Sequence, residues 1–382
     1  MKVLILSCNT GEGHNSCAAA LEEECRNQNI PCDTEDALRF ISPEVSRFIS
    51  NWHVRIYRHA PGLFRVGYRA AEDHPAQFHE GSALYRYLTQ GAEKLCGFIA
   101  GSGYDTVICT HTFAALMVSE VVKTHLPNLK TCFIATDYTC SPSVKDSSLD
   151  RYFIPASSLS GDFLGGGVTS ERLRACGIPV RQMFRSSVRK EDAKRAFGIP
   201  ADHKHLVMMC GSMGCGPIMS IARRIGRDLP DDQDLTIVCG TNKQLYRRLQ
   251  RRFYDVKNVH VRSYVKDMAL LMDSADLYLT KPGGISVTEA ASMRLPMVFI
   301  DAVAGCEEYN KDFFLRTGGA VTGQTPKEIA RTSLRLLSDK DALEKMGDAL
   351  DAAVPHNAAA NILSEMSEAE EEEEEEKEED LA

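Results

Sequence analysis

The segment that says most about the fold is Thr280-Lys-Pro-Gly-Gly-Ile-Ser-Val-Thr-Glu-Ala-Ala-Ser-Met-Arg-Leu-Pro296. It follows an apolar, strand-like run from Ala275 to Leu279, turns at Pro282-Gly283-Gly284, and continues as a predicted helix from Ile285 to Met293. A helix that opens at such a turn directs free backbone N–H groups and a positive dipole end toward one point, where phosphate commonly binds. Glu289 lies about one turn further in, on a face that could reach a ribose diol. An ordinary βα turn of an α/β sheet fits the segment equally well.

Composition predicts a soluble two-domain protein. The chain has 382 residues, enough for two full-sized cores, and no run approaches the roughly 18 apolar residues of a membrane-spanning helix. The apolar run at Met1–Ser7 is too short for a signal peptide and predicts a first buried strand. Thirteen cysteines are scattered without Cys-x-x-Cys pairs or zinc-type spacing, which predicts reduced core thiols in a cytoplasm and no metal site.

The net charge of -9 is concentrated at the C-terminus. From Glu365 to Asp380, twelve acidic residues face only Lys377, a local charge of -11, so the remaining body carries about +2. A run of this kind buries no apolar surface, and composition predicts that residues 365–382 are a disordered, solubilising tail.

Short apolar strands alternate with helices along the body, which predicts βαβ units and a mainly parallel sheet. The first half has predicted strands at 3–7, 106–110, 131–136 and 151–154, and the second half has them at 205–210, 235–239, 259–262, 275–279 and 297–300. We therefore predict two doubly wound, Rossmann-like domains facing a cleft, with ligands at the carboxyl ends of the strands. The predicted parts are a first domain at 1–165, a linker at 166–202, a second domain at 203–345, a helix at 346–364 that crosses back to the first domain, and the tail.

Each predicted domain begins with a strand that runs into glycines and then a helix. The two segments are Ser7-Cys-Asn-Thr-Gly-Glu-Gly-His14 and Cys210-Gly-Ser-Met-Gly-Cys-Gly216. Neither matches the dinucleotide pattern Gly-x-Gly-x-x-Gly, and neither is a Walker loop, which argues against a hydride-transfer enzyme and an ATPase. Glycine loops in both halves suit a ligand held between domains.

Three polar residues follow successive strands of the first half. His14 is an ionisable group in the first glycine loop, His111 ends the strand at 106–110, and Asp137 follows the strand at 131–136. An imidazole at such a place can act near neutral pH as a base or a hydrogen-bond donor, although a lone histidine is more often structural. Their shared position at strand ends predicts a site, because this architecture places its chemistry there.

Four motifs in a fixed order resemble one enzyme group. They are Thr10-Gly-Glu-Gly-His14, Val238-Cys-Gly-Thr-Asn-Lys-Gln-Leu245, Ser274-Ala-Asp-Leu277, and Thr280-Lys-Pro-Gly-Gly284 followed by Glu289-Ala290. Together they resemble the monogalactosyldiacylglycerol synthase and processive diacylglycerol glucosyltransferase group of glycosyltransferase family 28, over roughly residues 1–360. The resemblance implies the two-domain GT-B fold and a UDP-sugar donor, with no cofactor besides that donor substrate.

The resemblance also implies roles for individual residues. Gly211, Ser212 and Gly214 would lie against the diphosphate; Gly240, Asn242 and Lys243 would approach the nucleotide, with Tyr264 and Val265 flanking the uracil; Gly283, Gly284 and Ile285 would offer amides to phosphate; Glu289 would hold the ribose; Glu307, Glu308 and Asn310 would contact the sugar ring. His14 matches the family's histidine beside the transfer centre. Inverting transfer needs a base at the acceptor hydroxyl, for which His14 and Asp137 are the candidates, with His14 favoured.

The chain departs from the family pattern at three places. The family often has a His-Pro pair shortly after its Asp, whereas this chain reads Asp137-Tyr-Thr-Cys-Ser-Pro142. Glu12 replaces a glycine common in the first loop. The segment Ala304–Asn310 does not distinguish glucose from galactose. The missing histidine keeps open a non-catalytic protein that binds a UDP-sugar or a lipid.

A basic and aromatic segment bears on the acceptor. From Arg39 to Arg69, six arginines are opposed only by Glu44, a local charge of about +5. Arginines interleaved with aromatic residues suit the surface of an anionic bilayer. The residues assigned to acceptor or membrane contact are Arg47, Trp52, Arg55, Arg58, Phe64, Arg65 and His111. Solvated helices with aromatic cores are the plainer alternative, and no RNA motif supports nucleic-acid binding.

We therefore predict an inverting glycosyltransferase, cytoplasmic and peripheral on the inner face of the cell membrane. It would move a glucose or galactose from a UDP-sugar to a diacylglycerol-type lipid. Two enzyme alternatives are N-acetylglucosaminyl transfer to a polyprenyl-linked precursor and UDP-sugar epimerisation, although the acid/base groups that an epimerase needs around the sugar are not identified.

Overall fold

The computed structural model describes residues 1–59, 61–211, 213–214, 216–300 and 305–379. The chain divides into two compact units. Unit 1 contains Met1–Arg181 together with the C-terminal segment from Pro355, and unit 2 contains Gln182–Val354.

Unit 1 is built on a six-stranded parallel sheet in the order β2-β1-β3-β4-β5-β6. Its strands are β1 (Val3–Ser7), β2 (Cys32–Asp36), β3 (Thr106–Cys109), β4 (Lys130–Ile134), β5 (Arg151–Phe153) and β6 (Leu173–Arg174). Its helices are α1 (Glu12–Asn27), α2 (Leu38–Ile41), α3 (Pro43–His59), α4 (Pro61–Asp73), α5 (Ala83–Thr89), α6 (Ala92–Ser102), α7 (Thr112–Thr124) and α8 (Ser160–Gly165).

Unit 2 repeats the design, with a parallel sheet in the order β12-β11-β10-β7-β8-β9. Its strands are β7 (Lys204–Met209), β8 (Gln233–Val238), β9 (Val259–Arg262), β10 (Leu277–Thr280), β11 (Met297–Phe299) and β12 (Ala320–Thr322). Its helices are α9 (Lys190–Phe197), α10 (Ile218–Asp228), α11 (Lys243–Arg252), α12 (Met268–Asp273), α13 (Gly284–Ser292), α14 (Cys306–Thr317), α15 (Pro326–Leu337) and α16 (Lys340–Ala353).

Several inner strands of both sheets are buried along their whole length. Every residue of β1, β3, β8 and β10 is buried, because helices cover both faces of a parallel sheet. This confirms the predicted fold class of two doubly wound domains. The edge strand β2, Cys-Asp-Thr-Glu-Asp, lacks an apolar run and was not predicted from sequence.

The predicted domain boundaries need correction. The segment 166–202, predicted as a linker, contributes β6 to the sheet of unit 1 and α9 to unit 2, and the division between the units falls after Arg181. Leu173 and Arg174 pair with Tyr152 and Phe153, so backbone hydrogen bonding overrides the local glycine content.

The C-terminal segment also differs from the expectation. The crossing helix was placed at 346–364, whereas α16 stays in unit 2 and a last helix, α17 (Ala358–Glu379), belongs to unit 1. A disordered start at residue 365 is wrong, because Glu365 accepts a hydrogen bond from Arg174 at 2.9 Å and Met366 is buried. Across the described residues, no helix combines the length and apolar character needed to cross a membrane.

Candidate active site

His14 lies in the first turn of α1, directly after the loop that leaves β1. Its Nδ1 atom is 2.7 Å from the carbonyl oxygen of Thr110 and 3.0 Å from Oγ1 of Thr136. Thr110 follows β3, and Thr136 lies two residues beyond β4. The carboxyl ends of three neighbouring strands therefore hold one imidazole.

These contacts fix the tautomer of the neutral ring. A carbonyl oxygen only accepts hydrogen bonds, so Nδ1 of His14 must carry the proton and donate it to Thr110. The lone pair then resides on Nε2, which is the atom that can take up a proton. Burial lowers the pKa of His14, and the Thr110 carbonyl opposes that shift only in part. The ring is consequently neutral at neutral pH, and the lone pair of Nε2 is free to accept a proton.

The structure places the other two predicted residues of unit 1 nearby. The His111 ring lies edge-on to the His14 ring, with 4.5 Å between centroids. His111 also caps α7, because its Nδ1 accepts a hydrogen bond from the Phe113 amide at 3.0 Å. Asp137 is partly exposed and directly follows Thr136. His14, His111 and Asp137 are thus gathered at one edge of the sheet, as predicted, although the role of each stays a prediction.

A series of side-chain hydrogen bonds that the sequence did not predict stabilises this edge of the sheet. Ser7 donates to Oδ1 of Asn15 at 2.7 Å, Asn15 donates to Asn9 at 3.0 Å, and Asn9 donates to Asp36 at 2.9 Å. Ser46 of α3 donates to the same carboxylate at 2.5 Å. These hydrogen bonds link the first turn of α1 to α3, the helix that contains much of the basic and aromatic segment.

The glycine loop after β7 requires its glycines. Gly211 and Gly214 have φ angles of +63° and +56°, and a Cβ atom on Gly214 would lie 2.5 Å from the carbonyl oxygen of Cys239. The Asn242 side chain stabilises this close approach of Gly214. Its Nδ2 donates to the Gly214 carbonyl at 3.1 Å, and its Oδ1 accepts from the Leu245 amide at 2.9 Å. Asn242 therefore caps α11 and fixes the loop at once.

Two residues of α14 bind the turn between β10 and α13. Asn310 is fully buried and donates to the Pro282 carbonyl at 3.0 Å. Lys281 forms an ion pair with Glu307, with 2.6 Å between Nζ and Oε1. A Cβ atom on Gly211 would lie 2.7 Å from Cε of Lys281, so the two loops touch. Lys281 belongs to the motif Thr280-Lys-Pro-Gly-Gly284, but the sequence predicted no role for its side chain.

The remaining predicted donor residues fall around these loops. Gly283 is the N-cap of α13, but its own N–H is donated to the Lys281 carbonyl at 2.9 Å, so the prediction that it offers an amide to phosphate is wrong. Gly284 is the first residue of the helix, where backbone N–H groups have no intrahelical partner. Burial divides the others: Gly240 and Ile285 are buried, Val265, Glu289 and Glu308 are partly buried, and Lys243 and Tyr264 are exposed. Ser212 lies outside the described residues.

The predicted membrane segment is only partly described. Phe48 and Trp52 on α3 are 61% and 48% exposed, and Leu63 and Val66 on α4 are 54% and 63% exposed. Arg47 donates to Glu44 of its own helix at 3.0 Å. The side chains of Arg55, Arg58, Phe64 and Arg65 lie outside the described part of the chain. The exposed patch of α3 and α4, as we use the term, consists of these four apolar side chains on two consecutive helices: Phe48, Trp52, Leu63 and Val66.

Comparison with known proteins matches both units to transferase families. Residues 14–180 match the monogalactosyldiacylglycerol (MGDG) synthase family, and residues 222–351 match the glycosyl transferases group 1 family. The chain is 24% identical over 361 residues to the processive diacylglycerol beta-glucosyltransferase of Staphylococcus saprophyticus, covering 93% of this chain and 90% of that protein. These matches confirm the resemblance drawn from the motifs.

Solved structures confirm the GT-B fold. The crystal structure of Acinetobacter baumannii MurG matches with a TM-score of 0.64 and 14% identity, covering 96% of this chain and 100% of that one. A co-structure of S. aureus MnaA with UDP matches with a TM-score of 0.62 and 13% identity, covering 95% of each chain.

Proposed function

We propose that this chain, whose residues 14–180 match the monogalactosyldiacylglycerol synthase family and whose residues 222–351 match the glycosyl transferases group 1 family, is a glycosyltransferase that transfers a hexose to a diacylglycerol-type lipid. The donor is a UDP-sugar carrying glucose or galactose, and transfer inverts the anomeric carbon. The name of the staphylococcal relative, a diacylglycerol glucosyltransferase, supports this choice of acceptor.

Unit 2 binds the donor. The diphosphate lies at the start of α13, where free backbone N–H groups and the helix end favour negative charge, and against the Gly211–Gly214 loop, whose end residues carry no side chain. Glu289 holds the ribose, and the first turn of α14 contacts the sugar. The ion pair between Lys281 and Glu307 supports this arrangement, since it joins a cation beside the phosphate loop to a carboxylate in the sugar-contact segment.

His14 is the base of the reaction. Its Nε2 takes the proton of the acceptor hydroxyl while that oxygen attacks the anomeric carbon, and the bond from this carbon to the diphosphate oxygen breaks with its electron pair leaving on UDP. The leaving group gains negative charge, which the α13 amides and the Lys281 ammonium stabilise. The observation that carries the assignment is the 2.7 Å contact between Nδ1 and the Thr110 carbonyl, because it leaves Nε2 unprotonated.

The lipid acceptor is reached from a membrane surface. The exposed apolar side chains of Phe48, Trp52, Leu63 and Val66 suit insertion among lipid headgroups, and they belong to a segment of net positive charge. Peripheral attachment to the inner face of the cell membrane follows from this choice of acceptor and from the cytoplasmic setting inferred from the cysteines.

A donor and acceptor screen tests the proposal. Radiolabelled UDP-glucose, UDP-galactose and UDP-N-acetylglucosamine are incubated with vesicles containing either diacylglycerol or a polyprenyl-linked acceptor. We expect label in a diacylglycerol glycolipid from UDP-glucose or UDP-galactose. Label only on the polyprenyl acceptor would indicate the related N-acetylglucosaminyl transfer, epimerised UDP-sugar without transfer would indicate an epimerase, and UDP binding without any product would indicate a binding protein.

A further inference from the structure

Helix α11 of unit 2 is strongly basic. Its ten residues, Lys-Gln-Leu-Tyr-Arg-Arg-Leu-Gln-Arg-Arg, include five cations and no acidic residue. The proposed donor site uses only Lys243, at its first position. The four arginines that follow, Arg247, Arg248, Arg251 and Arg252, have no role in that site.

The arginines share one side of the helix. At about 100° per residue, they fall within one half of the helix circumference, while Leu249 points the opposite way. Leu249 is fully buried in the core of unit 2, and all four arginines are exposed. The packing of α11 on the sheet therefore directs every one of these charges toward solvent.

These cations are not neutralised by neighbouring carboxylates. No ion pair joins any of the four arginines to a carboxylate within the described part of the chain, whereas Arg195 and Arg227 elsewhere in unit 2 pair with Asp192 and Asp228. Tyr254, two residues past the helix, is 85% exposed. An amphipathic tyrosine beside a cationic stripe is a combination found at membrane interfaces.

We propose that these five residues, the α11 face of Arg247, Arg248, Arg251, Arg252 and Tyr254, bind the surface of an anionic bilayer. The arginines contact lipid phosphates and Tyr254 lies at headgroup level. The choice of a lipid rather than another polyanion rests on the proposed function, which supplies a membrane-borne acceptor. The donor-binding unit then has its own attachment, separate from the exposed patch of α3 and α4.

Vesicle binding by the full chain tests the proposal. The variant Arg247→Gln/Arg248→Gln/Arg251→Gln/Arg252→Gln is compared with a control that removes the same charge from α15 and α16, Lys327→Gln/Arg331→Gln/Arg335→Gln/Lys340→Gln. Both are sedimented with phosphatidylcholine vesicles with and without phosphatidylglycerol. Each cation near an anionic surface contributes roughly fivefold to partitioning, so the α11 variant should bind anionic vesicles at least about tenfold more weakly.

The expected result includes three further features: the control variant binds nearly as well as wild type, binding of wild type weakens with salt, and UDP affinity is unchanged in both variants. Equal losses in the two variants would attribute binding to net charge and overturn the proposal, as would no loss in the α11 variant. Binding of single-stranded RNA by wild type but not by the α11 variant, together with equal vesicle binding by the two proteins, would reassign the face to nucleic acid.

The two proposals fail separately. Hexosyl transfer by wild type to a detergent-solubilised diacylglycerol requires no bilayer and tests the proposed function alone. Absent transfer with intact, α11-dependent vesicle binding would reject the enzymatic proposal only, and intact transfer with α11-independent binding would reject the α11 face only.

Discussion

Replacing Lys281 by Met should destabilise unit 2 by about 3 kcal/mol in unfolding free energy. The Lys281 ammonium lies 2.6 Å from the Glu307 carboxylate, and the two side chains are only 18% and 8% exposed, so the variant removes the cation that faces a nearly buried carboxylate. Removing one member of such a pair typically costs about 3–5 kcal/mol. The lower end applies because Glu307 lies in the first turn of α14, where the helix dipole stabilises a negative charge.

The double variant Lys281→Met/Glu307→Gln separates charge from packing. It buries no ion, so its loss should shrink to about 1 kcal/mol, the scale of one hydrogen bond. Urea denaturation followed by circular dichroism gives the free energies, and hydrogen exchange with mass spectrometry assigns the change to peptides of unit 2. A single variant as stable as wild type, or a double variant as unstable as the single one, would refute the reasoning. The double variant should also remain folded yet lose transfer, since both proposed contacts to the donor are gone.

Three other perturbations have defined outcomes. Because burial lowers the pKa of His14, kcat/KM should stay level down to about pH 6.5 and fall only below that pH. The variant His14→Ala should lower kcat by about 10²–10⁴-fold without changing the UDP affinity measured by calorimetry. A fall in kcat/KM that begins above pH 6.5, or intact turnover in the variant, would remove the role of His14 as base. Gly214→Ala adds a Cβ atom 2.5 Å from the Cys239 carbonyl oxygen at a φ of +56°, so UDP affinity should fall at least about tenfold in the same titration, and unchanged affinity would place the diphosphate elsewhere. Burial lowers the pKa of His205 to about 4 from an ordinary value of 6.5, so between these pH values the unfolded chain binds one more proton than the folded chain. The unfolding free energy should therefore drop by up to about 3 kcal/mol as pH falls from 6.5 to 4. An equal dependence of unfolding free energy on pH in His205→Gln would contradict this.

Sequence patterns located most strands of the two sheets because the inner strands contain short apolar runs, such as Val3–Leu6 and Leu206–Met209. The predicted strands at 3–7 and 259–262 have the bounds that the structure gives. The misses have a common cause. Strands β2 and β6 are the two edge strands of the unit 1 sheet, and β6 spans only two residues. Pairing with a neighbouring strand therefore defines them more than their own composition does.

The candidate site was predictable in its parts but not in its connections. Strand ends and glycine turns in the sequence predict the positions of His14, Asp137 and the β10–α13 segment. The groups that position them, such as the Thr110 carbonyl, come from strands nearly a hundred residues away, and a single sequence carries no record of such contacts. The same is true of the link between Lys281 and Glu307, whose two members lie 26 positions apart.

The most direct test of the account is the anomeric configuration of the lipid product. Purified protein is incubated with UDP-glucose or UDP-galactose, whose sugars are α-linked, and vesicles containing diacylglycerol, and the extracted lipid is analysed by NMR. The account predicts a hexosyl-diacylglycerol with a β-linked sugar, formed by single displacement with a histidine base. An α-linked product would contradict the inverting mechanism, and the absence of any hexosyl lipid from a protein that still binds UDP would contradict the proposed activity itself.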